Sequence, residues 1–309
     1  GLWRRLAWPM VIVAGILLLI VIAPGTESIA PLVNGARRQI RFGLTFQPSD
    51  LAKVAVVVWT AALATRKQEE FSSLRRGLGP FLLVWAALLI PIALEPDLST
   101  AFLVGMTGCL IVYVAGARLS HFFFLGLLAL PVLYTQLDVA FRARRVASYL
   151  NPSADPAGAG FQVHQSLLAF GSGGVAGVGF GRGRQKLGFL PEAHNDFIFA
   201  MIGEEWGLLG VITTVVLYLL LVLVGFRIAA RAPDLFGQLL AVGLTSLIAL
   251  HAVLHMAVGL GLVPATGLAL PLVSYGRSNL LITLASLGML MSVSWAKERP
   301  VPVRRRARA

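Results

Sequence analysis

Eight stretches of mostly apolar residues divide this chain: Trp8–Ala23, Leu51–Ala64, Leu78–Leu94, Leu98–Gly116, Phe122–Leu137, Phe197–Phe226, Leu239–Leu262 and Leu280–Trp295. Most approach the ~20 residues that an α-helix needs to cross a bilayer. Within hydrocarbon a backbone must satisfy its own polar groups, so only helices and closed barrels remain open to such a sequence. A transmembrane barrel would show ~10-residue segments of alternating polarity, and none is present. With 57% hydrophobic and 13% charged residues, a soluble globular domain is excluded. The chain therefore reads as an all-α polytopic integral membrane protein of about eight transmembrane helices, a single domain over residues 1–309.

Charge then orients the helices. Eight spans put both termini on one side, and the Arg-rich tail from 297 to 309, "KERPVPVRRRARA", marks that side as cytoplasmic. "LWRR", "TRKQEEFSSLRRG", Arg118 and "FRIAARAPD" agree, so fifteen of the 26 Lys and Arg residues fall inside. Ten of the 14 acidic residues fall on or near the outer side, together with Arg37, Arg38, Arg41, Arg145 and other basic residues of two outer loops. Long loops escape the positive-inside rule, which accounts for part of this. Basic groups beside carboxylates at a membrane edge also suit a lipid-linked phosphate or diphosphate, held by Arg and Lys while a carboxylate does proton chemistry. The net charge of +12 does not call for nucleic acid, because anionic inner-leaflet lipids suffice for the basic tail. Gly1 in place of Met suggests a fragment or processed chain, and the single cysteine, Cys109, leaves no disulfide within the chain.

The long connection at about 138–196 is predicted to be extracytoplasmic and to hold helical or re-entrant structure, since a structureless loop of that length is unusual in a compact domain. Within it "FQVHQSLLAF" has helical apolar spacing, and "GSGGVAGVGFGRGRQKLG" is rich in glycine. That glycine run fits neither a dinucleotide fingerprint nor a Walker loop nor G-x-S-x-G; it reads as a bend that permits close packing.

Several polar groups stand where apolar runs begin. "FQPSDLAKVAVVVW" is a helix start, with Asp50 complementing the dipole and Lys53 one turn on, either functional or snorkelling to the interface. In "ALEPDLSTAF", Glu95 and Asp97 read by default as a solvated turn. Asp196 precedes an apolar run beside His194, where partial desolvation would raise its pKa toward that of a useful base; a helix cap is the plainer alternative. Glu204 and Glu205 lie deeper and need pairing or hydration, which points to a wet kink near Gly203 and Gly207. His251 and His255 are spaced i, i+4 but lack a third ligand, so interhelical hydrogen bonding outranks a metal, and no metal site is assigned.

Taken together, "NGARRQIRFGLTFQPSDLAK", "EPDLSTA", "FQVHQSLLAFGSGG", "GRQKLGFLPEAHNDFIFAMIGEEWGLLG" and "GLVPATGLALPLVSYGRSNLL" resemble the SEDS family (shape, elongation, division and sporulation) over nearly the whole chain. "LPEAH" and "LPLVSYG" lie closer to its FtsW branch than to RodA. The resemblance implies a helical fold of usually ten spans, the first two absent here. It implies polymerisation of lipid II on the outer face of the bacterial cytoplasmic membrane, with a class B penicillin-binding protein and other division proteins as partners. It implies Asp196 as catalytic carboxylate, with Arg38, Asp50, Lys53, Asp97, Arg145, His194, Ser274 and Tyr275 as substrate-binding candidates. A divalent cation, Mg or Mn, could assist, but no ligands for it are identified. Departures from the family pattern include Glu95 for Gln, Ser99 for Gly, Asn195 for Thr, Gln39 for Trp, His255 for Asn and Arg277 for Gly. Alternative readings are an elongation role, a lipid II flippase, which would need access from both faces, and a non-catalytic division scaffold, which would tolerate loss of Asp196.

Overall fold

The computed structural model describes residues 2–32, 36–42, 44–137, 149 and 159–296. Each of the eight apolar stretches coincides with a helix: α1 (Leu2–Ile22), α2 (Pro48–Ala64), α3 (Gly79–Leu94), α4 (Leu98–Val114), α5 (Leu119–Leu137), α7 (Ile198–Ala230), α8 (Leu235–Gly259) and α9 (Arg277–Ala296). The described part of the long connection adds α6 (Ala159–Gly173), where helical spacing was expected. A two-stranded antiparallel hairpin, β1 (Ile40–Phe42) and β2 (Leu44–Phe46), precedes α2 in the register Ile40 opposite Phe46. Its strands are too short to show a period-2 signal, and it leaves the all-α class intact.

Helix burial follows composition. Fifteen of the seventeen residues of α2 are buried, so this Ala- and Val-rich helix is the central post, packed against α1, α4, α8 and α9. The window of α8 with the highest hydropathy is 78% buried and that of α7 only 11%, which makes α8 a core helix and leaves α7 facing lipid with α6 against its side. Small residues let these backbones approach. At Gly243 an added Cβ would lie 2.6 Å from both Val57 and Ile111, so α2, α4 and α8 meet at a position only glycine fits. Buried polar groups pair between helices, as where Trp85 Nε1 donates to Thr60 Oγ1 at 2.9 Å.

Alternation of the spans gathers the hairpin, the turn between α3 and α4, the loop before α7 and the loop between α8 and α9 at one end of the bundle, here the hairpin end. Helix α7 runs 33 residues, or about 50 Å, against a hydrocarbon layer of about 30 Å. It breaks at Gly207 (φ 65°, ψ −158°), as expected for a kink in this stretch. Its last ~20 residues suffice to cross the bilayer, so Glu204 and Glu205 lie at the membrane edge rather than in hydrocarbon.

Candidate functional site

Polar side chains at the hairpin end form two clusters. In the first, Pro48 starts α2 and places Asp50 in its first turn. The Lys53 ammonium, one turn on, bonds Asp50 Oδ1 at 2.8 Å, and both side chains are buried. Lys53 is therefore an internal ion-pair partner and does not snorkel. The turn between α3 and α4 departs from the solvated default, because Glu95 and Asp97 are buried. Asp97 caps α4, accepting from the Thr100 amide at 3.1 Å, and also accepts from Gln47 Nε2 at 3.3 Å. Arg38 clamps the turn from the hairpin side, donating from Nε to the Glu95 carbonyl (2.9 Å) and from a terminal nitrogen to the Pro96 carbonyl (2.7 Å). The Glu95 carboxylate oxygens have no hydrogen-bond partner among the described residues. Burial, and then the neighbouring Asp97 charge, push the Glu95 carboxyl up to about 8 against the opposing pull of Arg38.

The second cluster surrounds Asp196, which is half-buried one residue before the Phe197 cap position of α7. The loop between α8 and α9 cradles it. Ser274 Oγ accepts from the Leu270 amide (2.7 Å) and donates to the Asn195 carbonyl (2.6 Å), and the Tyr275 amide donates to the His194 carbonyl at 3.1 Å. The His194 and Tyr275 rings meet edge to face, centroids 5.9 Å apart, and Glu192 lies 3.9 Å from His194 Nε2. Asp196 Oδ2 lies so near the Gly267 backbone that a Cβ there would be 3.6 Å away.

Two bridges join the clusters. On α8, buried His251 lies within electrostatic reach of Lys53, and one turn on His255 Nδ1 sits 2.6 Å from the Leu268 carbonyl, next to Gly267 and Asp196. At the start of α9, Ser278 Oγ accepts from the Gln47 amide at 3.0 Å and donates to the Thr45 carbonyl at 3.3 Å, two residues after the Gly276 that follows Tyr275. Of the candidates read from the sequence, Arg38, Asp50, Lys53 and Asp97 thus fall in the first cluster and His194, Asp196, Ser274 and Tyr275 in the second. Arg145 lies outside the described residues. Gln47 and Ser278 were not singled out, although both sit inside the motif strings, and their pairing is not readable across 231 residues.

Glu204 and Glu205 hold the glycine-rich segment in place. Glu204 accepts from the backbone amides of Arg184 and Gln185, and Glu205 from those of Gly181 and Gly183 and from Lys186 Nζ at 2.6 Å. The segment packs backbone to backbone on the α7 break, the Val178 and Gly179 amides reaching the Glu204 and Glu205 carbonyls. Among the described residues no three His, Cys, Asp or Glu side chains converge in a way that would hold a metal ion.

The profile of the FtsW/RodA/SpoVE family, described as cell cycle protein, matches residues 2–299. The chain belongs to this family. Among its relatives, the probable peptidoglycan glycosyltransferase FtsW of Geobacter metallireducens is 44% identical over 294 residues, covering 94% of this chain and 78% of the relative. Stage V sporulation protein E of Bacillus subtilis is 41% identical, covering 94% and 80%. A solved structure described as structural coordination of polymerization and crosslinking by a peptidoglycan synthase complex superposes with a TM-score of 0.78 at 32% identity, covering 96% of this chain and 83% of that one. The Thermus thermophilus rod shape determining protein RodA superposes at 0.66 with 27% identity, covering 96% and 80%. The chain is accordingly a multi-pass membrane protein of this family.

Proposed function

We propose that this protein polymerises lipid II into glycan strands during cell division, as an inverting peptidoglycan glycosyltransferase. The observation that carries the reading is the Asp196 loop, bonded to the Ser274–Tyr275 backbone and facing Gly267, in a chain 44% identical to a probable peptidoglycan glycosyltransferase FtsW. Asp196 accepts the proton of the acceptor sugar 4-hydroxyl while that oxygen forms a bond to C1 of the donor. The C1–oxygen bond to undecaprenyl diphosphate breaks, the diphosphate leaves with the electron pair, and the configuration at C1 inverts. Cationic groups aimed at the departing diphosphate lower the barrier as charge develops.

Arg38 and Lys53 hold the turn carbonyls and Asp50, so their part is to fix the hairpin and the α3–α4 turn beside α2. A divalent cation, Mg or Mn, would pair with the diphosphate of the substrate. The hairpin end faces outward, both termini face the cytoplasm, and a class B penicillin-binding protein crosslinks the strands. This arrangement accords with the fold shared with a peptidoglycan synthase complex and with the basic loops at the opposite end.

The test is glycan-strand formation from lipid II by the protein with its penicillin-binding partner, comparing wild type and Asp196→Ala at matched folding. Loss of polymer in the variant alone is the expected result. Equal polymer in both would remove Asp196 from the chemistry, and translocation of lipid II without polymer from either would make the protein a flippase.

A further inference from the structure

In the loop between α8 and α9, Leu272 has φ 67°, a left-handed conformation that a bulky side chain rarely adopts. Pro271 precedes it, and the Leu270 carbonyl accepts from the amides of Val273 (3.2 Å) and Ser274 (3.0 Å). Proline at the second position and a positive φ at the third match a type II turn, whose third position ordinarily holds glycine or asparagine. Leucine stands there instead with its side chain exposed, so burial does not account for the strain. A contact to the backbone does. From the lipid-facing second half of α7, the Tyr218 hydroxyl donates to the carbonyl of Pro271, which is buried. Just beyond the turn, Ser274 Oγ donates to the Asn195 carbonyl and the Tyr275 amide to the His194 carbonyl. The turn thus spans α7 from one side of the Gly207 break to the other, with Tyr218 at one end and the loop of Asp196 at the other.

We propose that Tyr218 is a positioning residue for Asp196, acting through the strained Pro271–Leu272 turn. The proposal rests on the glycosyltransferase reading, to which it adds a residue on the far arm of α7. A leucine relieves a positive φ by converting the type II turn to type I, and that change rotates the peptide plane between Pro271 and Leu272. The oxygen of that plane is the Pro271 carbonyl, the atom that Tyr218 holds. The hydroxyl therefore selects the strained form and ties it to α7. Without this bond the turn exchanges between two forms and shifts against α7, carrying with it the Ser274 and Tyr275 contacts to the carbonyls beside Asp196. A displacement of about 1 Å at a general base suffices to slow the chemistry while substrate binding is kept.

Two readouts test this on the protein with its penicillin-binding partner: kinetics of glycan-strand formation from lipid II, and hydrogen exchange of the Leu270 and Tyr275 amides. The proteins compared are wild type, Tyr218→Phe, Leu272→Gly, the double variant Tyr218→Phe with Leu272→Gly, and Tyr113→Phe. Tyr113, exposed on α4 with its ring against Phe122, is the control and should change neither readout. Tyr218→Phe keeps the ring and loses the bond. Its kcat is expected to fall about tenfold, the scale of one buried hydrogen bond, with KM for lipid II unchanged and the two amides exchanging several-fold faster. In the double variant glycine favours the same turn without the hydroxyl, so most of the lost rate and protection should return. Additive losses in the double variant, an unchanged kcat in Tyr218→Phe, or a rise in KM alone would overturn the proposal. Absence of polymer from wild type would remove the glycosyltransferase reading, and the exchange pattern across the variants would then decide by itself whether Tyr218 holds the loop of Asp196.

Discussion

Glu95 is a carboxyl placed where charge is costly. Buried and without a hydrogen-bond partner for either oxygen among the described residues, it is neutral at pH 7 with its pKa lifted to about 8. Because the folded state holds the proton more tightly than the unfolded state, stability is fully present below the unfolded value of 4.5 and is lost as pH rises through about 8. Thermal midpoints measured between pH 6 and 9 should fall with rising pH, and Glu95→Gln should flatten that slope, since an amide keeps the shape without a titrating proton. An unchanged slope would place the pH sensitivity elsewhere. The same fold holds Asp50 and Lys53 as a buried pair 2.8 Å apart. Breaking such a pair strands its partner, at a cost of about 3–5 kcal/mol. Asp50→Asn should therefore destabilise strongly, and Asp50→Asn with Lys53→Met should recover part of the loss in a denaturation series. Additive losses would mean the two groups are not coupled.

Between elements, the break in α7 couples a backbone conformation to two carboxylates. Gly207 sits at φ 65° and ψ −158°, a region closed to side chains, and an added Cβ would come within 2.4 Å of the Gly177 nitrogen. Glycine there lets the segment around Gly174–Lys186 lie against α7, and Glu204 and Glu205 then collect its amides. Gly207→Ala should lower stability by roughly 2–3 kcal/mol and expose this segment to protease. Gly288, in α9 with no atom within 4 Å of an added Cβ, is the control, and its change to Ala should be neutral or slightly stabilising. Equal protection in both variants would mean that the break does not hold the segment. Here lies also the reason for keeping adjacent acids in an apolar stretch: they replace water as acceptors for a loop that folds back on a helix end.

Over the whole molecule, the helices were legible because hydropathy alone determines them, and the break and the helix in the long connection followed from glycine and apolar spacing. The contact of the Ser274–Tyr275 loop with the Asn195 and His194 carbonyls joins two motif strings, Ser274 and Asn195 standing 79 residues apart. What pairs with what was not legible, because Gln47 with Ser278, Arg38 with the Glu95 and Pro96 carbonyls and His255 with Leu268 are contacts that only the packed bundle creates. Orientation is a further whole-molecule property, and it rests on charge. The end opposite the hairpin presents Arg66, Lys67, Arg75, Arg76 and Arg118 in short connections, the pattern of cytoplasmic loops. Leu187 and Glu69 are exposed at the two ends, and Cys109 is the one cysteine of this sequence, so a cysteine-free background including Cys109→Ala supports direct mapping. In intact spheroplasts a membrane-impermeant maleimide should label Leu187→Cys at once and Glu69→Cys only after permeabilisation. The reverse pattern would put Asp196 on the cytoplasmic side, where glycan strands destined for the wall could not be assembled, and the glycosyltransferase reading would fall with the orientation.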